Sequence, residues 1–259
     1  VTSLHARISS LKADPLASSI HPSLDFYYGD GERDAALDRF YRRFVSPGDL
    51  VFDIGAHVGD HIACFRRLGA RVVAVEPQPL CGHALRTIYA DDPEVTLVEA
   101  ACGAEAGPTV TFYVNSENPT VSTVSPEFVR AADGAGGWEG QVWDSEIQVP
   151  TVTFDGLIRE HGTPAFTKID VEGFEESVLA GLTTSVRALS FEFTTIEREV
   201  AQRALERAAA LGFDRFNVSL GGNLALEYGE WVSMEAMGAH LAALPHEANS
   251  GDVYCLHAD

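Results

Sequence analysis

VFDIGAHVGDH, Val51 to His61, is the stretch from which the fold is read. An apolar run carrying one aspartate, Asp53, ends at Ile54. Glycines follow at 55 and 59, and Asp60 opens a stretch with helical spacing. Glycine takes up positive φ without steric cost, so a strand ending this way turns sharply and brings backbone N–H groups close to a ligand. The helix behind the turn offers further N–H donors. In open α/β sheets ligands sit at this place, beyond the C-terminal strand ends where the strand order reverses.

Outward from this loop, short apolar strands alternate with amphipathic helices. Strands are expected at 50–54, 71–75, 95–101, 109–114, 149–154, 166–170 and 188–193, and helices at about 60–68, 80–89, 155–161, 175–185 and 197–211. Gly69 and Gly212 follow two of these helices at C-cap positions. Residues 215–220, the turn GGN and 224–231 read as a hairpin. Ser233 caps a helix to about 244, and 252–257 is a final strand. The pattern predicts an α/β fold, a doubly wound, mostly parallel sheet with an antiparallel edge hairpin.

Residues 1–45 read as an N-terminal helical extension. Its clearest element is GERDAALDRFYRRF, where Leu37, Phe40, Tyr41 and Phe44 recur at helical spacing. The turn SPGD leads into the main domain, 46–259. Within it, 115–148 is rich in glycine and turn residues (NSENPT, ADGAGGWEGQ) and is expected to be a mobile insertion. Two readings stand for it: a lid with Trp138 and Trp143 as contact residues, or a surface loop with two packed tryptophans.

The chain has 259 residues, 46% hydrophobic and 22% charged, enough for one α/β domain with additions. Lys+Arg is 18 against Asp+Glu 38, a net charge of -20. That field repels phosphate backbones and excludes nucleic acid as an expected partner. Cys64, Cys81, Cys102 and Cys255 are scattered without metal-type spacing and read as reduced thiols. No apolar run approaches membrane-spanning length. VTSLHARISSLKADPL lacks the basic-then-apolar order of a secretion signal, so a cytoplasmic location is expected.

Three ligands compete for the glycine loop. The dinucleotide pattern G-x-G-x-x-G fails, because His57 and Asp60 stand where its later glycines belong. A P-loop fails as well, since Gly59 is followed by Asp60 and not by lysine. S-adenosylmethionine carries an ammonium and a sulfonium and no phosphate, so a carboxylate at Asp53 suits it. The second strand ends in VVAVEP, placing Glu76 about 20 residues on, where an acidic group accepts from both ribose hydroxyls.

FTKIDVEGFEESVLAGL, Phe166 to Leu182, is the other informative stretch. Strand alternation puts Lys168, Asp170 and Glu172 on one face if the strand runs that far. Two carboxylates and an amine at a ligand rim are costly unless paired or working, so either a structural cluster or a catalytic one is expected. Glu192, near the end of ALSFEFT, points to the same rim. His57 and His61 are alternative bases. A metal on these two histidines is disfavoured, because His57 lies before the helix begins.

DIGAHVGDH, AVEP, TFDGLI and above all KIDVEGFEESVLAG resemble the FkbM-type S-adenosylmethionine-dependent methyltransferases. The resemblance covers roughly 50–193, with SGDVYCLH resembling the family's last strand. It implies a seven-stranded, mostly parallel class I sheet and methyl transfer to a hydroxyl on a sugar or polyketide-like product. Carried over by position, Asp53, Gly55 and Gly59 line the methionine end, Glu76 the ribose, and Ala100 and Ala101 the adenine. Ala56, His57, Pro77 and Asp170 join the cofactor contacts. Asp170 and Glu172 lie between cofactor and acceptor as candidate bases, with His57 standing where the family commonly has asparagine. Transfer from a sulfonium needs no metal. The expected partner is a small hydroxyl-bearing acceptor, with no nucleic acid or membrane. A homodimer, N-methylation, a non-catalytic binding module and a nicotinamide oxidoreductase stay open as alternatives.

Overall fold

The computed structural model describes residues 4–107 and 109–257. The first three residues of the N-terminal extension, Pro108 at the end of the GAEAGP turn, and the last two residues of 46–259 lie outside the described residues. The chain runs α1 (Leu4–Ala13), α2 (His21–Tyr27), α3 (Gly31–Tyr41), β1 (Leu50–Ile54), α4 (Asp60–Arg67), β2 (Arg71–Val75), α5 (Pro79–Ile88) and β3 (Val95–Val98). Then come β4 (Ala101–Cys102), β5 (Thr109–Val114), α6 (Pro126–Ala132), β6 (Ser145–Val152), α7 (Phe154–His161), β7 (Phe166–Ile169) and α8 (Glu175–Ala180). The last elements are β8 (Ala188–Thr194), α9 (Arg198–Ala210), β9 (Arg215–Leu220), α10 (Met234–Ala243) and β10 (Ser250–Leu256).

Seven strands form one sheet in the order β3-β2-β1-β7-β8-β10-β9. Strand order reverses beside β1, so the glycine loop opens at the switch point, as expected. The strands from β3 to β8 pair in parallel, and β10 runs antiparallel to both of its neighbours. The expected edge hairpin needs correcting in its partner. Strand β9 pairs with β10 from Gly251↔Leu220 to Leu256↔Arg215, and 224–231 forms no strand. That segment starts at Leu224 in the left-handed region (φ 49) and touches β9 through the Glu227 N–H to the Val218 carbonyl (2.8 Å) and a bridge at Phe216↔Val232. The seven residues of β10 offer an unbroken ladder to β8 and β9 that this segment cannot.

Other boundaries move for local reasons. The strand expected at 95–101 stops at Val98, and Ala101–Cys102 leaves for a second sheet, β4-β6-β5. The strand expected at 149–154 begins at Ser145 and pairs along all of β5. The helix expected at 175–185 ends at Ala180, before Gly181, where a Cβ would lie 2.3 Å from the Gly103 carbonyl oxygen.

The two faces of the large sheet differ in chemistry. Residues paired across strands point to the same face. One row reads Val75–Ile54–Ile169–Phe191–Val253–Val218, wholly apolar. It packs against α7, α8, α9 and α10 through side chains such as Leu157, Val178, Leu205 and Leu241. The adjacent row on the other face reads Ala74–Asp53–Lys168–Ser190–Tyr254–Asn217. There the apolar cover comes from α3, α4 and α5, with Leu37, Phe40, Ile62, Phe65 and Leu85. Phe44 stacks on Tyr254 with centroids 5.3 Å apart. The helical spacing read in 31–44 is thus the face that closes this side.

The helices of 4–41 also reach the glycine loop. Asp30 caps α3 by accepting from the Glu32 and Arg33 N–H groups. Arg33 then pairs with Asp60 at the start of α4 (2.9 Å), its guanidinium over the Tyr27 ring. Tyr28 donates to the Val58 carbonyl (2.7 Å). Among the described residues no helix is long and apolar enough to cross a membrane.

Candidate active site

A cleft of about 180 Å3 opens where β1, β2 and β7 end. Gly55, Ala56, His57, Glu76, Pro77, Ala100 and Ala101, all expected at a cofactor site, line it, together with Asp170 and Glu172. Asp53 and Gly59 do not. Asp53 is buried in the sheet beside Lys168, one Oδ atom without a hydrogen-bond partner, and burial pushes its carboxyl up to about 6 against the pull of His61 and Lys168. Gly59 packs toward α5, where a Cβ would lie 2.7 Å from Leu85.

The glycines thus serve backbone packing as much as ligand approach. Gly55 has φ 89, and a Cβ there would lie 1.7 Å from the Asp170 carbonyl oxygen. Two strand-end loops are pressed together at this point, and only hydrogen fits between them. Gly173 (φ 87) makes the matching turn on β7's side, after Glu172 at φ 56. The strand itself ends at Ile169, so Glu172 reaches the rim through this turn and not by strand alternation.

Glu76 is the anchor of the cleft. Its two carboxylate oxygens accept the backbone N–H groups of His57 and Gln78, both at 2.8 Å. These bonds fix its orientation and leave lone pairs toward the cavity. Burial pushes the carboxyl up to about 7 despite the two N–H donors. Ala100, Ala101, Cys102 and Phe112 supply an apolar wall on the adjoining side. Lys168 is the one lysine or arginine among the described lining residues, and it is bonded to Asp170. A diphosphate finds no free cation here, whereas a cationic ligand bearing a ribose meets carboxylates. The residues present therefore fit S-adenosylmethionine, which Glu76, the 55–57 backbone and the Ala100–Phe112 wall would hold.

His57 is committed to packing. Its Nε2 lies 2.9 Å from the Ser23 hydroxyl and 3.3 Å from that of Thr120, and its Nδ1 lies 3.4 Å from the Cys81 thiol. Burial lowers its pKa to about 4. With both ring nitrogens engaged, it positions the loop and is poorly placed as a base. His61 contacts Asp60 (3.3 Å) and lies edge-on to Tyr41.

The carboxylates of the turn after β7 and of β8 form one cluster. Asp170, Glu172 and Glu192 bring carboxylate oxygens within 4.8 Å of one another, a spacing that also suits a divalent cation. Burial pushes Asp170 up, but Lys168 and a hydrogen bond from Glu192 outweigh it and hold its pKa below the ordinary value. Burial and the neighbouring Asp170 charge push Glu172 and Glu192 well above theirs. Within the cluster the charged form is thus favoured at Asp170 and disfavoured at Glu172 and Glu192. Glu175 accepts from the Val171 N–H (3.0 Å) beneath the turn and is pushed up to about 8 by burial.

Sequence reasoning missed several contributors. Tyr27 from α2 and Phe112, Pro119, Thr120 and Ser122 also line the cleft. The aromatic run Phe26–Tyr28 was the one available signal for the first. The two tryptophans of 115–148 are not contact residues of the cleft. Trp138 and Trp143 both lie edge-on to Phe128, at 5.2 and 6.0 Å, and Trp143 donates to the Val121 carbonyl (2.9 Å). They hold the segment whose residues Pro119, Thr120 and Ser122 form the cleft wall.

The model of the family described as the Methyltransferase FkbM domain matches residues 53–220. The chain is 32% identical over 174 residues to the 31-O-demethyl-FK506 methyltransferase FkbM of Streptomyces tacrolimicus, covering 58% of this chain and 66% of that protein. It is 26% identical over 172 residues to the hexuronic acid methyltransferase AglP of Haloferax volcanii, covering 66% of this chain and 64% of that protein. The matched region thus spans just under two thirds of each relative's length. Among solved structures, the precorrin-6y C5,15-methyltransferase of Geobacter metallireducens aligns with a TM-score of 0.46 at 12% identity, over 89% of this chain and 90% of that one. The family match reaches from Asp53 to Leu220 and takes in both strand-end loops of the cleft, and on it the chain belongs to the FkbM methyltransferase-domain family.

Proposed function

We propose that this protein is an S-adenosylmethionine-dependent methyltransferase that methylates a hydroxyl oxygen of a small molecule. The observation that carries the reading is the cleft built on Glu76, ribose-ready and without a free cation for phosphate. The family membership supports methyl transfer, and the names of the two relatives favour small acceptors.

When bound, S-adenosylmethionine supplies a methyl group on a cationic sulfur, which leaves as a neutral thioether. This chain's residues must then align the acceptor, exclude water and take up one proton. Asp170 is the ionised member of the carboxylate cluster, and it lines the cleft at the β7 end. It receives the hydroxyl proton as the oxygen's electron pair forms the new C–O bond. Lys168 fixes its orientation through their ion pair. Burial and the Asp170 charge push the Glu172 and Glu192 carboxyls up, which favours placing the negative charge of the cluster on Asp170.

Calorimetry tests the reading. S-adenosylmethionine and S-adenosylhomocysteine bind and NAD does not, and Glu76→Ala weakens both by roughly 10–100-fold, the worth of a charged hydrogen bond. Unchanged affinity in that variant, or preferential NAD binding, refutes the donor assignment.

A further inference from the structure

S-adenosylmethionine ends in an α-ammonium and an α-carboxylate. The cleft offers the ammonium the carboxylates of Asp60 and Asp170, while its one lysine is bonded to Asp170. Resting on the donor reading above, we infer that Tyr27 of α2 receives the methionine carboxylate, its hydroxyl donating a hydrogen bond to it. Tyr27 precedes Asp53, where the family match begins, so this part of the donor site comes from the chain's own N-terminal helices.

The position follows from the order of the strands. Glu76 stands at the end of β2, and Ala100 to Cys102 of the apolar wall come just after β3. With strands ordered β3-β2-β1-β7, a donor whose ribose meets Glu76 and whose adenine meets that wall extends its methionine toward the ends of β1 and β7. Tyr27 stands there. Its ring is edge-on to that of His57 in the β1 loop, with centroids 6.2 Å apart. The charges of Asp60, at the start of α4, and Asp170, after β7, both reach its hydroxyl.

The helix that carries Tyr27 is held in place by the protein itself. Ser23 and Tyr27 are four residues apart and share one face of α2. Ser23 Oγ lies 2.9 Å from His57 Nε2, and the adjacent Tyr28 donates to the Val58 carbonyl (2.7 Å). Arg33 of α3 fixes the ring from another side. Its guanidinium stands 4.9 Å from the Tyr27 ring centroid while it pairs with Asp60.

The chemistry follows from which donors are already spent. The N–H groups of Gly55 and Ala56 go to the Val75 carbonyl (2.9 and 3.1 Å), and that of His57 goes to Glu76. Both His57 ring nitrogens have protein partners, and one His61 nitrogen faces Asp60. The Tyr27 hydroxyl lines the cleft without a hydrogen-bond partner among the described residues. Burial and the Asp60 and Asp170 charges push it above its ordinary value, so it keeps a proton to donate. The donor's ammonium, on the same carbon as the carboxylate, screens that anion from Asp60 and Asp170.

The test is calorimetry on the full chain with two probes, S-adenosylhomocysteine and decarboxylated S-adenosylhomocysteine, a thioether amine that keeps the ammonium and lacks the carboxylate. Tyr27→Phe keeps the ring and its packing. It weakens S-adenosylhomocysteine by roughly tenfold or more and the amine by less than about twofold. Equal weakening of both probes marks a structural role for the hydroxyl, and unchanged affinity for both removes the contact. Either result overturns the inference. So does a loss confined to S-adenosylhomocysteine that appears in His61→Asn and not in Tyr27→Phe. In all three cases the parent chain still binds S-adenosylhomocysteine and the donor reading stands. Failure of the parent chain to bind it overturns the donor reading and this inference with it.

Discussion

The cleft over β1 and β2 is framed largely by residues close in sequence, Gly55 to His61 and Val75 to Pro77, each group in one strand-end loop. A second cavity, over β7, β8, β10 and β9, takes its floor from Lys168, Glu192, Ser219 and Asp252 and its cover from a helix more than a hundred residues earlier. The first is a product of local backbone geometry. Glycines at set positions turn the chain, and the turn itself presents the N–H groups that orient Glu76. The second exists because helices were placed elsewhere and polar side chains were left facing a gap. A local site tolerates little change in its loop. An assembled one depends on the whole sheet staying in register.

Three measurements bear on this contrast. Asp170 belongs to both spaces, so Asp170→Asn removes the proton acceptor and lowers kcat by roughly 10²–10⁴-fold while donor affinity changes little. Equal losses in kcat and in donor binding would instead make Asp170 a cofactor ligand. Next, Gly55→Ala forces a Cβ against the Asp170 carbonyl at a left-handed backbone position. It destabilises the fold by about 2–3 kcal/mol in denaturant titration. A smaller loss than for Asp252→Asn would show that the cleft is not the rigid half.

The third effect is pH dependence. Glu76 is pushed up to about 7, and its ionised form is the better acceptor for ribose hydroxyls, so donor affinity drops by about tenfold per unit as pH falls below that value. The empty protein moves the other way. Glu76 at about 7 and Glu175 at about 8 both stand above the unfolded value of 4.5, so the folded state binds protons more tightly. Their stabilising contribution is complete below pH 4.5 and is lost as pH rises through about 7 and 8. Thermal unfolding of the empty protein that is flat between pH 5 and 8 would contradict the burial of these two groups.

Much of the fold was legible because its signals are local. Strands 50–54, 71–75 and 109–114 stand where alternation put them, and the Ser233 side chain caps α10 by accepting from Ala236 N–H. The cleft lining was legible for the same reason at Gly55 and Glu76, while Ala100 followed from the family resemblance. At Asp53 the structure departs from the expectation, since strand pairing with β7 sets this residue in the sheet beside Lys168 and outside the cleft lining. His57 lines the cleft as expected, but its part as a candidate base is disfavoured by Ser23, which meets its Nε2 from a helix with no recognisable motif. The antiparallel edge is present, but the partner expected for β9 changed for a related cause. Local turn signals favoured 224–231 as the partner of β9, while the long ladder available from β10 lay 30 residues farther on.

The alternation of strand and helix, the tight turn after β1, the acidic end of β2 and the charged K-I-D-V-E-G rim are written in short stretches of chain, because each depends on backbone preferences and side-chain spacing within a few residues. Only the tertiary structure decided that Asp170, Glu172 and Glu192 share one cluster, that Lys168 keeps one of them ionised, and that α3 spans a polar gap beside them. Charge state and cavity shape depend on burial and on neighbours brought together across the sheet, and neither quantity is carried by any short stretch of chain.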